Sequence, residues 1–140
     1  MTEQPRLLVD TSAAVALLVE SHPARMAVAE RVRGHVLGLS GHALAETYSV
    51  LTRLPGDARV TAEDAVTLID ATFTENAILP PALAGVAHRE LARCGVTGGA
   101  AYDGLVALAA REAGLPLFTR DARARATYEA VGATVEVIPD

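Results

Sequence analysis

The sequence predicts an α/β fold built on a mainly parallel sheet, and three observations carry that prediction. Leu7-Leu8-Val9 runs straight into Asp10 and then into an apolar helical pattern, the junction of a buried strand with a helix. Further short aliphatic runs at Val36 to Leu39 and Leu115 to Thr119 are separated by helical stretches, and parallel strands need such crossovers. The composition is 51% hydrophobic but only 4% aromatic, which suits Ala- and Leu-rich helices packed through aliphatic side chains. With 140 residues, no internal repeat and no linker, the chain is expected to form one domain over residues 1–140.

The elements follow in order. A first strand covers Arg6 to Asp10, and Thr11 or Ser12 can cap a short helix carrying Ala13, Ala14, Leu17 and Leu18. Ser21, with Pro23 two residues on, restarts a helix through Val32 that Gly34 ends. Val36 to Leu39 is a second strand. Ser40-Gly41-His42 opens a helix that Pro55-Gly56 stops after Leu54, with Leu44, Tyr48 and Leu51 on one stripe. Thr61-Ala62-Glu63-Asp64 reads as the cap and acidic first turn of a helix with Val66, Leu68 and Ile69 inside. Phe73 to Leu79 is a loop with an extended piece at Ala77 to Leu79, a fifth strand at most. Pro81 starts a helix to Cys94, and Thr97-Gly98-Gly99 separates it from a helix over Ala100 to Ala113. Gly114, a strand at Leu115 to Thr119, a helix from Asp121 to Val131, Gly132 and a last strand at Thr134 to Ile138 complete the chain.

Charge and composition narrow the chemistry. The formal net charge is −5, and all twelve basic residues are Arg. Absence of Lys removes phosphate-binding loops of the GxxxxGK type and Schiff-base chemistry, and the acidic total disfavours broad nonspecific nucleic-acid binding. The lone Cys94 excludes an intramolecular disulfide framework and a cysteine-based zinc cluster and suits a reducing compartment. Residues 1–6 are too short and polar for a signal peptide, and no 18-residue apolar run occurs. A soluble cytoplasmic protein without membrane contact is expected.

Four acids stand out. Asp10 ends a strand, Asp103 lies in a first helical turn, and Asp121 follows Leu117-Phe118-Thr119. At the carboxyl edge of a parallel sheet such positions can meet, although each alone is equally explained as a helix cap. Glu46 sits mid-helix, in line with Ala43, Val50 and Arg53, where capping cannot explain it. Four gathered carboxylates would raise one another's pKa unless a cation neutralised them. Oxygen ligands without His or Cys favour Mg²⁺ or Mn²⁺, which can activate a water and neutralise a scissile phosphate. Thr11, Ser12 and Thr119 are neighbouring hydroxyls able to cap or to orient a carboxylate. Arg53, Arg120 and Arg123 could hold phosphate oxygens or serve only as surface charge.

Four segments resemble PIN-domain ribonucleases: Leu8-Val9-Asp10-Thr11-Ser12, Ala45-Glu46-Thr47-Tyr48, Gly98-Gly99-Ala100-Ala101-Tyr102-Asp103 and Leu117-Phe118-Thr119-Arg120-Asp121. From Leu7 to Val137 the chain is similar to the VapC toxins of VapBC toxin–antitoxin systems in their actinobacterial form. The resemblance implies a three-layer α/β/α PIN-like fold around a sheet of four to five strands. It implies metal ligation by Asp10, Glu46, Asp103 and Asp121, with Thr119 as supporting hydroxyl. It also implies Mg²⁺- or Mn²⁺-dependent hydrolysis of structured RNA, tRNA or rRNA, leaving 5′-phosphate and 3′-hydroxyl ends and stopping translation. A VapB antitoxin would cover the acidic pocket, and operator DNA would be bound only through that antitoxin. A homodimer would form near the helices of Leu44 to Leu54 and Thr61 to Asp70. Loops around Gly34 to His35, Pro55 to Thr61 and Phe73 to Pro80 would help select RNA. The residues alone leave two rivals open: a noncatalytic acidic docking domain for a basic peptide, and a DNA-directed nuclease of the same site chemistry.

Overall fold

The computed structural model describes residues 4–139. Among these residues four strands form one parallel sheet in the order β2-β1-β3-β4: β1 (Arg6–Val9), β2 (Val36–Gly38), β3 (Leu117–Thr119) and β4 (Val135–Val137). Leu7, Leu8 and Val9 are fully buried, which places β1 at the centre of the core. The chain leaves β1 toward β2 on one side, then crosses to β3 on the other. This reversal makes a crevice at the carboxyl ends of β1 and β3, where ligands collect in open α/β sheets.

Among the described residues eight α-helices flank the sheet: α1 (Thr11–Leu18), α2 (Arg25–Val32), α3 (Gly41–Thr52), α4 (Ala62–Thr72), α5 (Pro81–Ala84), α6 (Ala87–Arg93), α7 (Ala100–Ala113) and α8 (Arg125–Val131). Their caps follow the sequence. Ser40 accepts from the Ala43 amide at 3.1 Å and Thr61 from the Asp64 amide at 3.2 Å. Gly114 and Gly132 end α7 and α8 with φ of 67° and 104°, values that favour glycine. At Gly38 the requirement is space: a Cβ there would lie 1.9 Å from the Glu75 carbonyl oxygen.

Several expectations need correction. The helix expected from Ser21 starts at Arg25, because the His22 ring accepts the Ala24 amide at 3.0 Å and holds a turn across Pro23. The helix expected over Pro81 to Cys94 breaks at Gly85-Val86, which lets Ala87 and Leu91 turn into the core. Strand β3 begins at Leu117, not Leu115, because Pro116 cannot donate a ladder hydrogen bond. The extended piece at Ala77 to Leu79 contributes one bridge, Ala77 to Ser40, and no fifth strand. On α3 the buried stripe is Ala43, Thr47 and Leu51, with Tyr48 at the surface; on α4 it is Ala65 and Ile69, with Val66 and Leu68 exposed. Among the described residues no helix is long and apolar enough to cross a membrane.

Candidate active site

The crevice between β1 and β3 holds Asp10, which is 4% exposed. Its Oδ1 accepts from the Ser12 hydroxyl at 2.6 Å and from the Ala13 amide at 3.2 Å. Its Oδ2 accepts from the Tyr128 hydroxyl at 2.8 Å and from the Thr119 hydroxyl. A carboxylate offers about four lone-pair positions, so these four donors saturate it. Asp10 thus caps α1 and faces the crevice at once; capping and site residence do not exclude each other. Thr119 Oγ1 also accepts from the Asp121 amide at 2.9 Å, and Ser12 Oγ accepts from the Arg120 amide at 2.9 Å. Hydroxyls therefore tie the ends of β1 and β3 together.

A cavity of about 90 Å³ opens at this point, lined by Asp10, Thr11, Ser12, Glu46, Asp103, Val106, Asp121 and Tyr128. All four sequence-selected acids share it. α3 brings Glu46 from one side, the first turn of α7 brings Asp103, and Asp121 enters from the 3-10 turn Ala122–Ala124 that precedes α8. Asp121 Oδ1 accepts from the Arg123 amide at 3.0 Å, so it too caps while facing the cavity. Larger hollows of about 370 to 440 Å³ exist elsewhere on the surface, but no four carboxylates converge in them.

The charges are uncompensated inside. Burial pushes the Asp103 carboxyl above its usual range; the charges of Asp10, Asp121 and Glu46 push the same way, and His42 opposes them. Burial, and then the neighbouring Asp10, also holds the Tyr128 phenol in its neutral form far above its usual range. Two nitrogen-bearing side chains stand beside the acids. Arg123 Nε is 3.6 Å from Asp121 Oδ1 with its side chain 96% exposed, and His42 Nε2 is 3.5 Å from Glu46 Oε2.

The donor set suits a hard divalent cation: it is oxygen only, strongly acidic, and includes the buried Thr11 Oγ1, which has no hydrogen-bond partner among the described residues. Among the described residues, no three acids, histidines or cysteines stand close enough together to hold one ion. In this arrangement the Asp10 oxygens accept from internal donors. The Glu46 and Asp121 side chains are 45% and 42% exposed.

Arg120 and Arg123 flank Asp121, whereas Arg53 caps the far end of α3, roughly 10 Å along the helix from Glu46 at 1.5 Å per residue. Arg53 is not brought to the cavity. Sequence reasoning passed over Tyr128, His42 and Tyr102. The signal available was scarcity: with three Tyr, two Phe and no Trp in the chain, each aromatic ring carries weight.

Comparison with known proteins adds the following. The PIN domain family model matches residues 7–130. Ribonuclease VapC27 of Mycobacterium tuberculosis is 49% identical over 134 residues, covering 96% of this chain and 98% of the relative. Ribonuclease VapC40 of the same species is 43% identical over 133 residues, covering 92% of this chain and 96% of the relative. The solved structure of FitAB bound to an IR36 DNA fragment superposes with a TM-score of 0.63 at 18% identity over 94% of both chains, a likeness of fold.

Proposed function

The chain belongs to the VapC branch of the PIN-domain family, and from that premise we propose that it is a divalent-cation-dependent endoribonuclease toxin. The observation that carries the reading is the convergence of Asp10, Glu46, Asp103 and Asp121 in one cavity at the sheet's crossover point. Asp10, Glu46, Asp103 and Asp121 would hold Mg²⁺ or Mn²⁺. When bound, the ion supplies charge neutralisation at a phosphodiester and an activated water.

The chain's own residues do the rest. Thr119 and Ser12 fix the Asp10 carboxylate and, through the Asp121 and Arg120 amides, fix the turn after β3 relative to it. Arg123, exposed at the rim beside Asp121, would hold phosphate oxygens of the RNA backbone, as would Arg120 on the other side of Asp121 in sequence. Hydrolysis by water leaves a 5′-phosphate and a 3′-hydroxyl and needs no ribose 2′-hydroxyl as nucleophile. The substrate is structured cellular RNA, tRNA or rRNA, whose cleavage stops translation.

The partner is a small VapB-type antitoxin. FitAB is solved with DNA, and by that analogy operator DNA is contacted in the toxin–antitoxin complex. A chain of net charge −5 is poorly suited to that contact, which falls to the antitoxin. Homodimerisation through α3 and α4 would cover the apolar side chains of Tyr48, Val66 and Leu68, which are 37%, 48% and 36% exposed.

The test is to map new 5′ ends in total RNA incubated with wild-type or Asp10→Asn protein, with Mn²⁺ or with chelator. Discrete new 5′-phosphate ends are expected only with wild type and Mn²⁺. Ends that persist in the variant or in chelator would overturn the reading.

A further inference from the structure

Two aromatic rings stand beside the acid cavity, and the contact between them has no role in the site described above. Tyr102 precedes Asp103 in the first turn of α7, and His42 lies one turn before Glu46 on α3. The rings therefore ride on the same two helices as two of the cavity's acids. They stack across the gap between those helices with centroids 5.4 Å apart and planes 18° from parallel. Tyr102 is nevertheless 60% exposed, in a chain whose Tyr128 is 1% exposed. His42 is the inner member of the pair. Its Nε2 lies 3.5 Å from Glu46 Oε2 without hydrogen-bond alignment, so one ring connects the cavity wall to the outer tyrosine.

The packing of α7 does not need this tyrosine. The helix buries Gly104, Val106, Ala107, Leu108, Ala109 and Ala110, and Tyr102 points away from them. What the stack achieves is to hold an aromatic face steady at the edge of an acidic site. That site has an affinity problem. The chain carries net charge −5 and no Lys, so phosphate attraction alone gives a weak hold on RNA. Base stacking on an aromatic ring does not depend on phosphate charge, and single-stranded RNA is commonly held in this way.

We propose that Tyr102, braced by His42, is a stacking platform for an unpaired nucleobase next to the phosphodiester that is cut. The inference rests on the ribonuclease reading and adds that the substrate presents a splayed-out base at the cleavage point, as a loop does and a duplex does not. Stacking uses the ring and not its hydroxyl, so Phe should serve at position 102 and Ala should not.

The test is steady-state cleavage of a 5′-fluorescein-labelled, randomised single-stranded RNA 12-mer in Mn²⁺ by wild type, Tyr102→Ala and Tyr102→Phe. Thermal unfolding and oligomeric state are recorded for each protein. Tyr102→Ala is expected to raise KM about 5- to 100-fold with kcat held within about twofold, and Tyr102→Phe to keep the wild-type KM within about twofold. With 5-iodouridine in the pool, photocrosslinking followed by peptide mass spectrometry should place the adduct on Tyr102. Wild type that cuts RNA while Tyr102→Ala keeps its KM overturns the platform alone. So does a Tyr102→Phe protein as impaired as Tyr102→Ala, or a KM change that tracks loss of the dimer or of the fold. Wild type that cuts total RNA but not the 12-mer also overturns the platform alone, and wild type that cuts neither overturns the ribonuclease reading and the platform with it.

Discussion

The phenol of Tyr128 donates to Oδ2 of Asp10 at 2.8 Å and takes the last lone-pair position of that carboxylate, with both groups buried. Two consequences follow from one bond. It steadies Asp10 in a metal-free protein, and it competes with any cation for the same oxygen. Tyr128→Phe keeps the ring and removes the donor. It should cost about 1.5–3 kcal/mol of stability in chelator, the range for a hydrogen bond to a charged group. In saturating Mn²⁺ the deficit should shrink, because the freed lone pair is open to the ion. Chemical denaturation of both proteins in chelator and in Mn²⁺ checks this; equal deficits in the two conditions would show that the phenol does not compete.

Asp103 puts function and stability in opposition. Its carboxyl is pushed up by burial and then by three neighbouring acids, so the fold prefers the protonated form. The sign follows from linkage. The folded state holds the proton more tightly than the unfolded one, whose value is 3.8, so stability falls as pH rises through that value toward the raised one. At neutral pH an ionised Asp103 is a net burden on the metal-free protein. Asp103→Asn is therefore expected to raise Tm in chelator at pH 7, with the advantage vanishing below about pH 4, where both side chains are neutral. Cleavage should fall more than about 100-fold, beyond the loss typical of residues that only support a metal ligand. A variant that is both active and stabilised would remove Asp103 from the site.

The sheet, its parallel crossovers and the four acids were legible because each rests on a local pattern. Aliphatic runs end at Asp10 and Thr119, glycines follow α7 and α8, and Glu46 has no capping role to hide behind. What stayed hidden depends on long-range placement. That Tyr128 reaches Asp10 across 118 positions, or that Tyr102 of α7 meets His42 of α3, is set by how α8, α7 and α3 pack and by no spacing within them. The inward faces of α3 and α4 were misread for a related reason. Val66 and Leu68 are apolar enough for a core, and only the packing of α4 on α3 shows that Ala65 joins the expected Ile69 in it.

Those two misread residues make a prediction about assembly. Leu68 is 36% exposed and Val66 48%, side chains more apolar than a solvent-facing helix requires. If α4 forms the dimer face, Leu68→Glu places a charge where apolar contact is needed, and the dimer–monomer midpoint should move by at least about tenfold in concentration. The monomer's own stability should change by no more than about 0.5 kcal/mol, as for other surface substitutions. Light scattering across a dilution series, read beside a denaturation curve, separates the two. An unchanged midpoint would move the interface elsewhere.

Glu90 governs the acid limb of stability away from the active site. Its Oε1 accepts from Arg111 Nη1 at 2.9 Å and from Arg93, while Arg111 Nη1 also donates to the Val131 carbonyl at 3.1 Å. One carboxylate thus joins α6 to α7, and through Arg111 to the end of α8. Hydrogen bonds from Arg93 and then Arg111 lower its pKa from 4.5 to about 2. A lowered carboxylate pKa stabilises the fold fully above the unfolded value and loses that contribution as pH falls through the folded one. The affected window is therefore pH 4.5 down to about 2. Glu90→Gln should lower Tm at pH 7, and the gap to wild type should close progressively across that window. Over the same window wild-type unfolding should take up about one more proton than unfolding of the variant. Thermal denaturation followed from pH 7 to pH 2 measures both quantities, and parallel pH profiles for the two proteins would show that the Arg93–Glu90–Arg111 bridge contributes nothing to acid stability.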